Sequence, residues 1–153
     1  MIRRTEKRRA LCLALLIANL AFIWGNSMLP AHISAAISGF VRDVLSKLLG
    51  GAGDGGADGV MGEGVLRKIA HFIEFTCLGC LLGWLFSMLR KHWLVSLLCG
   101  VLVASVDELI QCFVPGRGPG ILDVLLDSVG VACGIAVLLA GYTIYQKRRN
   151  NQK

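Results

Sequence analysis

Six ionisable side chains lie near one end of the apolar segments of this chain. They are His71, Glu74, Asp107, Glu108, Asp123 and Asp127. A histidine among carboxylates can move protons as a general acid or base. Ionisable groups inside a bilayer are costly and are usually functional. The six residues therefore predict a site, provided that the segments carrying them cross a membrane.

Composition and hydropathy predict an integral membrane protein. The 153 residues are 55% hydrophobic, and the mean hydropathy is +0.65, which is too apolar for an ordinary soluble domain. Crossing the hydrocarbon core takes about 20 apolar helical residues. Four segments are long enough, at residues 10–28, 69–89, 93–113 and 121–142. We expect an all-α bundle of four transmembrane helices, forming a single domain over residues 1–153.

The positions of the basic residues predict how the chain is oriented. They are concentrated before the first span, between the second and third spans, and after the fourth, in 11 of 16 cases. Cytoplasmic segments hold an excess of Lys and Arg, so we expect both termini in the cytoplasm of a bacterial plasma membrane. The net charge of +6 then reflects topology and contact with anionic lipid. No sequence motif predicts nucleic-acid binding.

A secretory signal peptide is an alternative interpretation of the basic N-terminus. The apolar stretch at residues 11–24 is long for such a signal, and the nearest small-residue cleavage pattern, at residues 34–36, lies well beyond its end. We therefore favour a first span that is retained.

The segment between the first two spans has two predicted parts. Apolar residues recur at helical spacing over residues 32–49, with serines and basic residues on the other face. This pattern predicts an extracytoplasmic amphipathic helix, lying on the outer leaflet or over the bundle as a lid. Residues 50–66 are rich in glycine and are expected to form a flexible loop.

With this topology, polar residues from the ends of several spans converge at the outer leaflet. The Pro- and Gly-rich link at residues 114–120 is expected to hold Arg117 over them. Gly130, Gly134 and Gly141 form a small-residue stripe that would let the fourth span approach another helix closely. The full candidate set is Ser27, Lys68, His71, Glu74, Asp107, Glu108, Gln111, Arg117, Asp123 and Asp127.

Three ordered motifs resemble those of the VanZ-like family. The first is K-x-x-H-x-x-E, from Lys68 to Glu74, and the second is D-E-x-x-Q, from Asp107 to Gln111. The third is a P-G-R triplet ending at Arg117, with an aspartate six residues later. Residues 24–30 are also similar to that family, so the resemblance covers nearly the whole chain. Asp127 stands where asparagine is commoner in the family.

The resemblance implies a bacterial membrane protein of a family associated with low-level resistance to teicoplanin. This glycopeptide antibiotic acts on cell-wall precursors outside the membrane. Many members of the family occur away from resistance clusters, so a housekeeping role in cell-envelope metabolism is the alternative. The expected partners are membrane lipid and either a cell-wall precursor or the glycopeptide itself.

Three interpretations of the candidate set remain open. In the first, the protein is an enzyme that acts on a lipid-linked or peptidoglycan precursor. In the second, charge pairs hold the helices in register, with Arg67 and Lys68 on Glu74 and Arg117 on Asp107 or Asp123. In the third, the site binds a ligand without turnover or takes part in transport, which four short helices would need an oligomer to perform.

For the enzyme, the candidates divide into two groups. Arg117, Lys68, Ser27 and Asp127 would bind the substrate. The catalytic group would be His71, Glu74, Asp107, Glu108, Gln111 and Asp123. An acid-rich set around a histidine is not diagnostic of a metal, so no metal and no cofactor is predicted.

Overall fold

The computed structural model describes residues 2–48, 63–118 and 120–151. Within these ranges the chain forms helices and no strand, which confirms the all-α prediction. Four of the helices are long and apolar enough to cross a membrane, so the chain is a multi-pass membrane protein by this criterion. The helices are α1 (Ile2–Ser27), α2 (Ala31–Leu48), α3 (Glu63–Met88), α4 (Trp93–Gln111) and α5 (Ile121–Asn150).

The ends of the helices differ from those read from hydropathy. α1 and α5 extend through charged residues at the two termini, because Lys, Arg and Glu are good helix formers and hydropathy does not register them. α3 begins at Glu63, so the prediction of a loop is wrong over residues 63–66. Residue 49 and the rest of the predicted Gly-rich loop, residues 50–62, lie outside the described residues.

α3 is the central helix and packs against α1, α4 and α5. α5 runs parallel to it, because Lys68 meets Asp123 at one end and Gly83 meets Leu138 near the other. α1 and α4 run antiparallel to α3. The ends of α1 and α4 therefore lie beside the starts of α3 and α5, and we call this the polar end of the bundle. At the opposite end, Arg9 donates a hydrogen bond to the carbonyl of Met88 (3.3 Å).

α2 lies at the polar end, against α3. Its serines, Ser34 and Ser38, line a cleft at that end, whereas Phe40 on the apolar face is 69% exposed. The amphipathic helix is therefore present, and its polar face is turned toward the bundle. The apolar face points away, where a bilayer could accommodate it.

Close packing of α3 on α5 depends on glycines at their interface. A Cβ atom on Gly130 would lie 2.9 Å from the carbonyl oxygen of Phe72. At Gly79 and Gly134 a Cβ atom would be closer still to backbone carbonyls of the facing helix. The predicted small-residue stripe is thus confirmed at Gly130 and Gly134. It is wrong at Gly141, because no atom of another described helix lies within 4 Å of a Cβ placed there.

Replacing Gly134 by alanine should destabilise the bundle, because the added methyl group meets backbone that cannot move aside. Overpacking of this kind costs about 1–3 kcal/mol, which should appear as a lower thermal unfolding temperature in detergent. Gly141→Ala is the matched control on the same helix, since its methyl group enters open space. Equal unfolding temperatures for the two variants would contradict the close approach of α3 and α5.

Candidate functional site

Asp107, at the polar end, has no exposed surface. Its Oδ2 accepts hydrogen bonds from the Ser27 hydroxyl and from Gln111 Nε2, each at 2.8 Å. Gln111 reaches it because residues four apart share a helix face. Ser27 is at the end of α1, so the aspartate joins α1 to α4. Asp107 Oδ1 is also buried and has no hydrogen-bond partner among the described residues.

His71 faces two carboxylates without touching either. Its Nδ1 is 3.9 Å from Asp107 Oδ2 and 4.0 Å from Glu74 Oε2, beyond the usual hydrogen-bond range of about 2.7–3.2 Å. Glu74 Oε1 accepts a hydrogen bond from Asn26 Nδ2 at 2.7 Å. Within the described ranges, Glu74 Oε2 and His71 Nδ1 are both buried without a partner.

α5 contributes Asp127, which is 2% exposed. One possible ligand atom from each of His71, Asp107 and Asp127 lies within 4.8 Å of the other two. Asp123, one turn earlier, is at the surface and forms an ion pair with the half-exposed Lys68. The face of α5 at this end therefore has a buried carboxylate next to the histidine and a paired carboxylate at the mouth of the site.

Glu108 is buried beside the link between α4 and α5. Its Oε2 accepts a hydrogen bond of 2.9 Å from the backbone N–H of Gly120, the N-cap residue directly before α5. A carboxylate at a helix N-terminus is favourable because backbone N–H groups there lack helical partners. Glu108 therefore ties the two helices together at the edge of the cluster.

Arg117 binds the end of α1 instead of a carboxylate. Its Nε donates to the carbonyl of Leu29 at 3.1 Å, and its Nη2 donates to the carbonyl of Asn26 at 2.9 Å. Gly116 has φ +79°, a left-handed conformation that glycine adopts readily, and it turns Arg117 in this direction. Burial lowers the pKa of Arg117, although a guanidinium remains charged at neutral pH.

The expected charge pairs are therefore largely absent from the described residues. The predicted pairing of Arg117 with Asp107 or Asp123 is wrong, because the end of α1 offers carbonyl groups that a backbone turn brings closer. Lys68 pairs with Asp123 and not with Glu74. Glu74 receives the amide of Asn26, a residue outside the candidate set.

Two clefts lead from the surface to the cluster. One, of about 280 Å³, is lined by residues of α3, α4 and α5 that include Lys68, Glu108 and Asp127. The other, of about 420 Å³, lies among α1, α2 and α3 and reaches Glu74 and Arg117. Arg67 and His71 line both clefts, so they stand where the two openings meet.

Comparison with known proteins assigns the family. The model of the VanZ/LLP1 family matches residues 10–144. The chain belongs to the VanZ/LLP1 family. An uncharacterized protein of Schizosaccharomyces pombe is 29% identical over 124 residues, which cover 80% of this chain and 74% of that protein. No solved structure gives a significant match.

Family membership confirms the resemblance read from the motifs. The yeast relative indicates that chains similar to this VanZ/LLP1 protein are not confined to bacteria. A bacterial source, a role in teicoplanin resistance and the cytoplasmic location of the termini remain predictions.

All ten candidate residues of this VanZ/LLP1 chain lie at the polar end, although their chemical roles remain predictions. Sequence reasoning left two residues out of the set. Arg67 is one turn before His71 on the same helix face, and Asn26 directly precedes Ser27. Both positions were therefore detectable from their spacing relative to recognised candidates.

Ser27→Ala should destabilise this VanZ/LLP1 protein, because it removes a donor from a carboxylate that has no access to water. Loss of such a partner costs about 1–3 kcal/mol, measurable by thermal unfolding in detergent. Ser105→Ala is the matched control. The Ser105 hydroxyl is exposed and bonds only within its own helix, to Val101 at 2.9 Å, so a change within about 0.5 kcal/mol is expected. Equal losses would argue against the Ser27–Asp107 contact.

Proposed function

We propose that this protein is a membrane enzyme acting on the anionic headgroup of a lipid or lipid-linked molecule at the membrane surface. One observation carries the proposal. A buried histidine and buried carboxylates, with polar atoms that lack partners among the described residues, open into clefts lined by Arg67 and Lys68. Such an arrangement costs stability, so it is expected where a ligand or a reaction uses it.

Basic side chains at the mouth of the site suit an anionic headgroup. Arg67 and Lys68 line the smaller cleft together, and Arg67 and Arg117 line the larger one. A guanidinium binds phosphate or carboxylate oxygens through two parallel hydrogen bonds. Asp123 restrains Lys68 through its ion pair. A headgroup entering either cleft would thus meet positive charge before it reaches His71.

The groups behind this mouth suit proton transfer. Either His71 or a neighbouring carboxylate would be the general base, since each can accept a proton from a substrate or a water molecule. Asp107 is held in place by Ser27 and Gln111. Ser27 itself has no exposed surface, so we assign it to positioning Asp107 and not to contact with the substrate. Burial strengthens electrostatic interactions within the site because the local dielectric is low.

The lipid-facing side offers space for a hydrocarbon chain. An open groove of about 610 Å³ lies between the ends of α4 and α5, lined by apolar residues such as Leu109 and Val124 and bordered by Glu108. Farther along the same two helices is a second apolar groove of about 430 Å³, lined by residues that include Leu97 and Ile135. Glu108 also lines the smaller cleft, so a chain lying along these grooves would place its headgroup next to that cleft, within reach of Arg67 and Lys68.

At the level of the cell, we propose a role in cell-envelope metabolism that alters susceptibility to teicoplanin. Family membership supports it, and so does the predicted orientation, in which the polar end faces outward. In that orientation the site would meet lipid-linked precursors on the outer surface of the membrane.

Charge pairing between helices is the competing explanation, supported by the contact between Lys68 and Asp123. A solvent-exposed ion pair contributes only about 0.2–1 kcal/mol, and Lys68 is half exposed. This pair does not account for the buried Glu74, Asp107 and Asp127. Within the described residues, none of these three forms an ion pair with a lysine or an arginine.

Arg67→Gln should reduce activity toward an anionic lipid, because the variant loses one charged hydrogen-bond donor at the mouth of both clefts. The purified protein is reconstituted in vesicles of phosphatidylglycerol with a polyprenyl diphosphate, and lipid products are followed by mass spectrometry. A hydrogen bond to a charged group contributes about 1.5–3 kcal/mol, so kcat/KM should fall by roughly 10- to 100-fold.

Arg149→Gln is the matched control, because it removes the same charge from the exposed end of α5. The same pair is tested for teicoplanin susceptibility in a sensitive host, with membrane levels quantified. Activity and protection should fall together in Arg67→Gln alone. If wild-type protein converts neither lipid, or if both variants lose equally, the proposed function is wrong.

A further inference from the structure

Three buried side chains from different helices converge on one point at the polar end. His71 comes from α3, Asp107 from α4 and Asp127 from α5, and their exposed fractions are 9%, 0% and 2%. Possible ligand atoms of the three lie within 4.8 Å of one another. Bonds of about 2.0–2.2 Å to a common ion in tetrahedral geometry place ligand atoms about 3.3–3.6 Å apart. Side-chain shifts of less than about 1 Å would therefore complete such a site.

Buried atoms without partners point to a ligand at the same place. They are His71 Nδ1, Asp107 Oδ1 and Glu74 Oε2, taken among the described residues. Leaving one buried polar atom unsatisfied costs about 1–3 kcal/mol. The separations of His71 Nδ1 from Asp107 Oδ2 and Glu74 Oε2, at 3.9 and 4.0 Å, are too long for hydrogen bonds. They are slightly longer than the spacing of about 3.3–3.6 Å between two ligands on one tetrahedral ion, so a small inward shift of these side chains would bring them into that range.

The charge around these atoms leads to the same conclusion. Glu74, Asp107 and Asp127 are all buried, and a buried carboxylate requires a cation, a proton or a metal. Three basic residues, Arg67, Lys68 and Arg117, line the clefts around these carboxylates. Among the described residues, none of them forms an ion pair with Glu74, Asp107 or Asp127. Lys68 contacts Asp123, and Arg117 donates to backbone carbonyls. A divalent cation would offset two of the buried negative charges at once.

We propose that His71, Asp107 and Asp127 bind a divalent first-row transition-metal cation such as Zn²⁺ or Mn²⁺. One imidazole nitrogen with two carboxylates is a mixed ligand set that these ions accept, whereas Ca²⁺ and Mg²⁺ prefer oxygen ligands alone. Glu74 borders the site as a fourth group. This inference departs from the sequence-based expectation of no metal, which rested on the weak specificity of an acid-rich set.

The metal site goes beyond the proposed function and does not depend on it. An ion here would balance charge in a binding protein as well as in an enzyme. If both proposals hold, the general base is a carboxylate of the cleft, such as Glu108, because His71 is then a ligand.

The test measures metal content and metal-dependent stability. Wild-type protein purified in detergent without chelator should contain about one Zn²⁺ or Mn²⁺ per chain by inductively coupled plasma mass spectrometry. After treatment with a chelator, adding back Zn²⁺ or Mn²⁺ should raise the unfolding temperature. Asp127→Asn should weaken metal binding by about 10-fold or more and abolish most of this shift.

Asp123→Asn is the matched control, because it removes the same charge from α5 one turn away. It should retain the bound metal and the shift. His71→Gln provides a second ligand variant should Asp127→Asn fail to fold. The proposal is overturned if wild-type protein holds no stoichiometric metal and shows no shift. It is also overturned if Asp123→Asn loses metal as much as the ligand variants do. Neither readout needs a substrate, so failure of the proposed enzyme activity would be separately visible.

Discussion

Burial of carboxylates inside a membrane bundle is the constraint on which the polar end depends. Asp107 satisfies it in part, through the hydroxyl of Ser27 and the amide of Gln111. These bonds fix the end of α1 against α4, and Asn26 extends the contact to Glu74 on α3. The remaining oxygens of Asp107 and Glu74, together with His71 Nδ1, are buried without hydrogen-bond partners in the described part of the chain. The fold therefore holds these polar groups in place and leaves some of their hydrogen-bonding positions free for a ligand.

Helix packing below the cluster determines how closely these groups meet. Gly79, Gly130 and Gly134 allow α3 and α5 to approach through backbone contacts. This approach brings Asp127 into reach of His71. Without a hydrophobic driving force between helices in lipid, such close contacts are a main source of association. The glycines and the cluster are thus parts of one arrangement, in which tight packing offsets the cost of buried charge.

The number of spans and the position of the cluster were predictable from the sequence, because bilayer thickness fixes span length and helical spacing fixes which residues share a face. The partner of Arg117 was not, since it depends on the turn at Gly116 and on carbonyls at the end of α1. The proximity of Asp127 to His71 was equally unpredictable from the sequence, because it depends on the distance between α3 and α5. Gly141 shows the same limit, as spacing alone does not reveal whether a neighbour lies opposite.

The central claim is that the negative charges of Glu74 and Asp127 are retained for a ligand and not to stabilise the bundle. Its most direct test is the unfolding temperature of the double variant Glu74→Gln, Asp127→Asn, measured in chelator beside wild type. Both changes keep side-chain shape and remove charge. If the claim is right, the double variant unfolds at the same temperature as wild type or higher, because like charges no longer repel in a low-dielectric site. Unfolding several degrees lower would show that these charges stabilise the bundle, and would contradict the account.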